Sequence, residues 1–134
     1  MNAPPTRLYL AGPMSGIADH NFPRFNEVAK NLRTRGHVVF NPAENNDGGQ
    51  RRSRAFYMQL DIPALLRSEA VVVLSGWETS RGACLEVWLA LDMGIPIFRC
   101  VDVGRDCNLE AVGDLDLQTL PVFTTPVPAA ASAP

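Results

Sequence analysis

The fold is decided by residues 70–86, which read AVVVLSGWETSRGACLE. The first part, Ala70 to Ser75, is an almost wholly apolar run with the length of a buried strand. A short loop of turn-forming residues follows, and the chain then continues to Met93 as a helix-like segment with few charges. A buried strand, a loop and an apolar helix in this order predict one unit of a parallel sheet covered by helices.

Glu86 is the unusual residue of this stretch, because it is charged and has apolar neighbours on both sides in sequence. A carboxylate in such a helix must be paired, neutral or in use, since burying a bare charge is costly. Its side chain leans toward Gly82, four residues earlier, where the missing side chain leaves room. We expect a substrate beside Glu86. The alternative is a structural carboxylate bonded to a backbone N–H or to an arginine such as Arg81.

Strand-like and helix-like segments alternate along the rest of the chain. This alternation predicts an α/β fold, a single-domain, doubly wound (Rossmann- or flavodoxin-like) sandwich with a mostly parallel sheet of four to five strands. Residues 1–125 would form the domain and the Pro/Ala-rich residues 126–134 a disordered tail. Strands are predicted at 7–11, 37–41, 70–75 and 95–100, helices at 22–35, 53–67 and 82–93, a weaker helix or turn at 108–112, and a possible last strand at 120–124.

Composition excludes several function classes. The 134-residue chain has a formal net charge of −2, which predicts neither a nucleic-acid groove nor a polybasic membrane patch. No apolar run approaches the roughly 18 residues of a membrane span, and the first residues do not resemble a signal peptide. The three cysteines, 84, 100 and 107, form no C-x-x-C pair, so we expect reduced thiols in a cytoplasmic protein. The two histidines, 20 and 37, lack metal-ligand spacing, and we expect no metal and no cofactor.

Three loops leave the carboxyl ends of predicted strands: residues 12–16, 41–52 and 76–80. Ligands of open parallel sheets bind at such ends, so the chemistry should lie where these loops converge. The polar, Gly-rich loop 42–52 is expected to form a lid. Arg51, Arg52 and Arg54 are expected to form a solvated basic loop, with contact to a phosphate as the alternative. Pro63 is expected to end or kink the second long helix.

Ser80 occupies the N-cap position of the helix that carries Glu86. A helix N-terminus with Gly82 just inside it offers free N–H groups and a positive dipole end, which suit a phosphate. The simpler interpretation is structural, because serine is a good N-cap whether or not anything binds.

Asp61 and Tyr9 are the other candidates. Asp61, late in the second long helix, could supply a second carboxylate, and cleavage of a glycosidic bond uses two. The alternative for Asp61 is a solvated helix face. Tyr9 lies at a strand end, where its hydroxyl could hold a carboxylate in place, although a core tyrosine is the more common explanation.

Taken together, these segments resemble the nucleoside 2-deoxyribosyltransferase-like family. Residues 9–13, YLAGP, look like its first-strand signature, and residues 61–73 look like its central helix-to-strand passage. Residues 82–96 look like its catalytic helix and the strand that follows. The likeness covers roughly residues 7–98, and three motifs in order at family-like spacing are fairly specific.

The resemblance implies a role for each candidate. Glu86 would be the nucleophile that forms a glycosyl ester at the anomeric carbon. Asp61 would protonate the departing base, and Tyr9 would orient Glu86. Water or a second base would then take the sugar from the enzyme.

One departure from the family pattern points to a substrate. In the transferases that act on free nucleosides, an aspartate six residues before the catalytic glutamate binds the sugar 5′-hydroxyl. Here that position is Ser80, as in the similar members that hydrolyse nucleoside 5′-monophosphates, and serine at a helix N-terminus suits a phosphate. The resemblance thus implies a nucleoside 5′-monophosphate N-glycosidase, with base exchange or a non-catalytic nucleotide sensor as alternatives. The expected substrate-binding set is Ser80, Gly82, Gly12, Ser15 and Gly16.

The helix that carries Glu86 is apolar nearly all round, more than one sheet face requires. We therefore expect a homodimer or higher homo-oligomer, and the resemblance implies active sites shared between subunits, with Asn108 as the candidate residue donated by a neighbour. The base preference would depend on residues 41–57, where Asn45, Phe56, Tyr57 and Met58 are candidates to contact a ring, together with Asn46.

Overall fold

The computed structural model describes residues 6–45 and 52–113. The predicted last strand at 120–124 and the predicted tail at 126–134 lie outside these residues. No helix in the described ranges combines the length and the apolar character that crossing a membrane requires. The described strands and α-helices are β1 (Arg7–Ala11), α1 (Phe22–Thr34), β2 (Val38–Phe40), α2 (Arg54–Leu66), β3 (Ala70–Val73), α3 (Arg81–Asp92), β4 (Ile97–Val103) and β5 (Asp106–Ala111).

The described strands form one sheet in the order β2-β1-β3-β4-β5. Strands β1 to β4 pair in parallel, and β5 runs antiparallel to β4 at the edge. The predicted α/β sandwich with a mostly parallel sheet is confirmed. In this order the chain reverses its direction of travel across the sheet between β1 and β3, and such a switch point opens a crevice at the carboxyl ends of the strands.

Alternating side chains of the central strands build two cores. In β1, Leu8 and Leu10 face α1, whereas Tyr9 and Ala11 face α2 and α3. All four residues of β3 are buried, as a strand covered on both faces requires. The apolar face of α1 covers one side of the sheet because its apolar residues recur at helical spacing; these are Phe25, Val28, Ala29 and Leu32.

Local signals set the ends of the helices. Ser53 caps α2 by accepting a hydrogen bond from the Phe56 N–H (3.1 Å), and α2 continues through Pro63 for one further turn. Gly36 follows α1 with φ +94°, a conformation that glycine adopts without strain.

The segment predicted as a helix or turn at 108–112 is instead the greater part of β5. Val101 pairs with Asn108 and Val103 with Asp106, so residues 104–105 form a two-residue hairpin turn. Gly104 supplies the positive φ (+63°) that such turns need. The pairing with β4 determines this structure, and the local sequence carries little strand signal of its own.

The expectation of three reduced thiols is wrong for two of them. The structure joins Cys100 to Cys107 by a disulfide across the β4–β5 hairpin, with Cα atoms 5.4 Å apart. Spacing alone did not suggest this bond, because the two cysteines approach each other only once the hairpin forms. Cys84 is a free, buried thiol.

We predict that Gly12→Ala destabilises the fold by about 1–3 kcal/mol, because an added Cβ would overpack the junction of β1 and α1. That Cβ would lie 2.9 Å from Leu74 Cβ and 3.3 Å from Phe25 Cζ. Urea unfolding followed by circular dichroism measures the change. Gly113→Ala is the matched control, since a Cβ there meets no atom of the described residues within 4 Å. Equal stability of the two variants would contradict the packing described for Gly12.

Candidate active site

A cavity of about 380 Å³ lies where the loops after β1 and β3 meet the N-termini of α2 and α3. One side is apolar and includes Leu10, Phe22 and Phe25. The other side is polar, and it brings together side chains from three distant parts of the chain. Its members are Ser15, Asn45, Arg52, Arg54, Asp61, Ser80 and Glu86.

Glu86 lines this cavity although only 7% of the residue is exposed. The hydroxyl of Tyr9 donates a hydrogen bond to its Oε2. Tyr9 is itself fully buried and stacks on Phe40, with ring centroids 5.3 Å apart and planes 6° apart. A packed strand residue therefore fixes one carboxylate oxygen, which is the contact that the sequence interpretation expected.

Asp61 supplies a second buried carboxylate to the same cavity, from α2. Asn45 donates a hydrogen bond from its Nδ2 to Asp61 Oδ1 at 2.7 Å. Asn45 ends the short 3-10 turn Pro42–Asn45 that follows β2. The segment after β2 thus positions Asp61, and the solvated helix face considered for Asp61 is excluded.

The two carboxyl groups share an environment that favours their neutral forms. Burial raises the pKa of Glu86 to about 8; the Tyr9 hydrogen bond opposes the rise, the charge of Asp61 adds to it, and the charge of Arg54 opposes it. Burial also raises the pKa of Asp61 to about 6, against the hydrogen bond from Asn45. Two carboxyl groups with displaced pKa values in one cavity are typical of acid–base or nucleophilic chemistry.

The N-terminus of α3 forms a further part of the wall. Ser80 caps the helix by accepting a hydrogen bond from the Ala83 N–H at 3.2 Å, so its hydroxyl hydrogen remains available to a ligand. The first-turn N–H groups, including that of Gly82, have no acceptor within the helix. Within the described part of the chain, a Cβ on Gly82 would have only Arg54 Nη2 within 4 Å, at 3.9 Å.

Arg54 is the main departure from the predicted site. The sequence interpretation placed it in a solvated basic loop, but it begins α2 and lines the cavity. Its Nη2 is buried, and within residues 6–45 and 52–113 it has no hydrogen-bond partner. Arg52 also lines the cavity while exposed, with its guanidinium 5.3 Å from the Phe56 ring centre. Arg51 lies outside the described residues, as does most of the predicted lid.

The remaining predicted site residues divide into two groups. Gly12 and Ser15 line the cavity with Ser80 and Gly82. Gly16 is exposed in the same loop but is not part of the cavity wall. Asn108 is exposed on β5, where its Oδ1 accepts a hydrogen bond from Arg35 Nη2 at 3.2 Å, away from the cavity of its own chain. Its donation to a neighbouring subunit stays a prediction.

Of the residues expected to contact a base, Asn45, Tyr57 and Met58 line the cavity, Phe56 does not, and Asn46 lies outside the described residues. The sequence interpretation overlooked His20, which lines the cavity with Met14. Asp19, His20 and Asn21 are consecutive residues with φ of 53°, 54° and 61°. Asp, His and Asn tolerate this conformation better than most residues. The run of these three residue types was therefore the sequence feature that could have indicated an unusual loop at His20.

Within the described ranges, no group of three or more His, Cys, Asp or Glu side chains is arranged to hold a metal ion. The polar groups that line the cavity are carboxyl, hydroxyl, phenol, amide, imidazole and guanidinium groups.

A comparison with known protein families places the chain in one of them. The chain belongs to the DUF4406 family, described as a domain of unknown function, whose sequence profile matches residues 6–99. No curated protein matches the chain significantly.

Two solved structures share the fold. One is a 2-deoxyribosyltransferase from the psychrotolerant bacterium Bacillus psychrosaccharolyticus, with a TM-score of 0.57 and 20% identity over 69% of this chain and 70% of that chain. The other is a conserved protein from Enterococcus faecalis V583, with a TM-score of 0.53 and 24% identity over 71% of this chain and 62% of that chain. These similarities confirm the Rossmann-like fold of deoxyribosyltransferases that the sequence resemblance implied.

We predict that Tyr9→Phe raises the pKa of Glu86 and that Asp61→Asn lowers it. The first change removes a hydrogen bond that stabilises the ionised carboxylate, and the second removes a neighbouring negative charge. Titration of ¹³C-labelled glutamate carboxyl groups by NMR measures both shifts. Glu110→Gln, a change at an exposed residue of β5, is the control variant, and the Glu86 pKa should be the same in it as in the unaltered protein. A Glu86 pKa that stays unchanged in both variants would show that these contacts do not govern its ionisation.

Proposed function

We propose that this member of the DUF4406 family is an enzyme that hydrolyses the N-glycosidic bond of a ribo- or deoxyribonucleoside 5′-monophosphate. The products would be a free base and a sugar 5-phosphate. The observation that carries the proposal is the buried carboxylate of Glu86, which Tyr9 fixes in a cavity that also contains Asp61. A buried carboxylate held by one oxygen, beside a second carboxyl group with a raised pKa, is the equipment that a two-step glycosidase uses.

The first step is attack on the sugar. Because Tyr9 holds Oε2, Glu86 would use Oε1 to attack the anomeric carbon while the bond from that carbon to the base breaks. Asp61 would give its proton to the departing base, a role that its raised pKa favours.

The second step returns the enzyme to its starting state. Asp61, now ionised, would take a proton from a water molecule as that water attacks the anomeric carbon of the glycosyl-Glu86 ester. The ester bond breaks, the sugar 5-phosphate leaves, and Glu86 is again a carboxylate. No further reactant is required.

The N-terminus of α3 supports the proposal that the substrate carries a phosphate. Ser80 brings a hydroxyl donor there without a negative charge, and the helix end carries a partial positive charge. The aspartate that the family resemblance implies at this position in nucleoside transferases would repel a phosphate.

Deoxyribosyl transfer between bases is the second candidate function. The shared fold with the 2-deoxyribosyltransferase from Bacillus psychrosaccharolyticus favours it. It would use the same glycosyl-Glu86 ester and would differ only in whether water or a second base accepts the sugar. A non-catalytic nucleotide sensor is less well supported, because two carboxyl groups with raised pKa values serve no evident purpose in binding an anion.

We further propose that the protein works as a homodimer or larger homo-oligomer with shared sites. Large apolar side chains are exposed along α3 and just beyond its end: Trp88 is 37% exposed, Leu91 37% and Met93 59%. Burial of this face against another subunit would remove it from water.

We predict that the purified protein releases free base from at least one nucleoside 5′-monophosphate, and that Glu86→Gln lowers the rate at least 1,000-fold by removing the nucleophile. Chromatography of a nucleotide panel measures the free base. Gln keeps the shape of Glu86, so circular dichroism should show an unchanged fold. A panel in which both proteins release no base would refute the proposed activity. Adding a second base separates the alternatives, because transfer yields a new nucleotide and hydrolysis yields sugar 5-phosphate.

We predict that Ser80→Asp lowers kcat/KM for the monophosphate by about tenfold or more while changing that for the free nucleoside far less. Aspartate is also a good N-cap, so α3 should be retained, but its charge repels a phosphate. Steady-state kinetics with a matched nucleotide and nucleoside pair measure the effect. Ser80→Thr, which keeps a hydroxyl cap, is the control. Equal losses on both substrates would remove the argument for phosphate at this position.

A further inference from the structure

The guanidinium of Arg54 lies in the cavity wall, and our proposed mechanism gives it no role. Its Nη2 is buried and has no hydrogen-bond partner among the described residues. Burying a charged donor without a partner is costly, and such groups are rare in folded proteins. A group of this kind in the wall of a cavity indicates a partner that arrives from solution.

Arg54 and the N-terminus of α3 face the same space. A Cβ on Gly82 would lie 3.9 Å from Arg54 Nη2, which places the guanidinium beside the first turn of α3. Ser80, with its available hydroxyl hydrogen, lines the same cavity. A guanidinium, a hydroxyl and helix N–H groups on one wall are all donors, and they select an anion with several acceptor oxygens.

Glu86 does not serve as the partner of this guanidinium. The ion pairs found among the described residues do not include Arg54, and the hydrogen bond to Glu86 comes from Tyr9. The charge of Arg54 still acts on Glu86 through space, since it lowers the pKa of that carboxyl group. Arg54 is therefore close enough to affect the nucleophile, while its buried Nη2 still lacks a hydrogen-bond partner among the described residues.

We infer that Arg54 binds the 5′-phosphate of the substrate together with Ser80 and the first turn of α3, and so restricts the substrates to phosphorylated sugars and nucleotides. This inference rests on the proposed function for the identity of the substrate, but it concerns binding and does not depend on turnover. The fork of N–H donors on a guanidinium matches two phosphate oxygens at once, which an ammonium group cannot do.

The test is calorimetric titration of ribose 5-phosphate, with ribose as the unphosphorylated control ligand. We expect Arg54→Gln to bind ribose 5-phosphate at least tenfold more weakly than the unaltered protein, because charge-assisted hydrogen bonds are lost. Arg105→Gln is the matched control: Arg105 is exposed in the β4–β5 turn, outside the cavity wall, and its replacement should change affinity less than threefold. Any binding of ribose itself should be the same in all three proteins.

Each other outcome overturns the inference. Ribose 5-phosphate affinity that is equal in Arg54→Gln and the unaltered protein, or undetectable in the unaltered protein, shows that Arg54 does not bind the phosphate. Equal loss of affinity for ribose and ribose 5-phosphate assigns Arg54 to the fold or to Glu86 instead. If Arg54→Gln does not fold, Arg54→Lys replaces it, since lysine keeps the charge and loses the fork; affinity equal to that of the unaltered protein then refutes the inference.

These titrations and the base-release assay together separate this inference from the proposed function. Release of free base from a monophosphate, with phosphate binding independent of Arg54, supports the enzyme and refutes the role of Arg54. Phosphate binding that depends on Arg54, with no release of base from any nucleotide, supports the role of Arg54 and refutes the enzyme.

Discussion

The hydrogen bond from Tyr9 to Glu86 joins the central strand β1 to α3 inside the core, and the site is arranged around it. Positions as buried as that of Glu86 are usually occupied by apolar residues, because an ionised carboxylate loses its hydration there. Tyr9 offsets part of that loss with a hydroxyl that is held rigidly by stacking on Phe40. Gly82 then leaves the space beside the carboxylate open to a ligand. The burial and orientation of Glu86, and the access of a ligand to it, therefore depend on residues that lie far apart in sequence.

The parallel sheet explains why these residues can meet. Parallel strands end at the same edge, so the loops after β1, β2 and β3 each bring one component to the cavity. The first contributes Gly12 and Ser15, the second Asn45, and the third Ser80. The antiparallel β5 lies at the far edge of the sheet, beyond β4, and in this chain it contributes no residue to the cavity wall.

Sequence patterns were sufficient to predict the strands and helices whose positions depend on nearby residues alone. The apolar run at 70–75 and the helical spacing in α1 gave elements close to those observed, and the position of Ser80 gave the start of α3. The β4–β5 hairpin and its disulfide were missed because strand pairing decides them, and a short polar segment carries little evidence of its partner. Arg54 was placed in solvent for the same reason. The residues that precede it are polar, and only the packing of α2 beside α3 places its guanidinium in the cavity wall.

The charged groups in the cavity affect one another's ionisation. A phosphate near Glu86 would raise the pKa of that carboxyl group beyond the value of about 8 that burial already produces, and would leave less of it ionised for attack. A positive charge between the two anions removes this conflict, since it stabilises the phosphate and the ionised nucleophile together. Arg54 would supply that charge if it binds the phosphate as inferred, because its Nη2 lies beside Gly82 and its charge lowers the pKa of Glu86. On the proposed function, a substrate without a phosphate would leave that nitrogen without a partner, so Arg54 would favour a nucleotide over a free nucleoside.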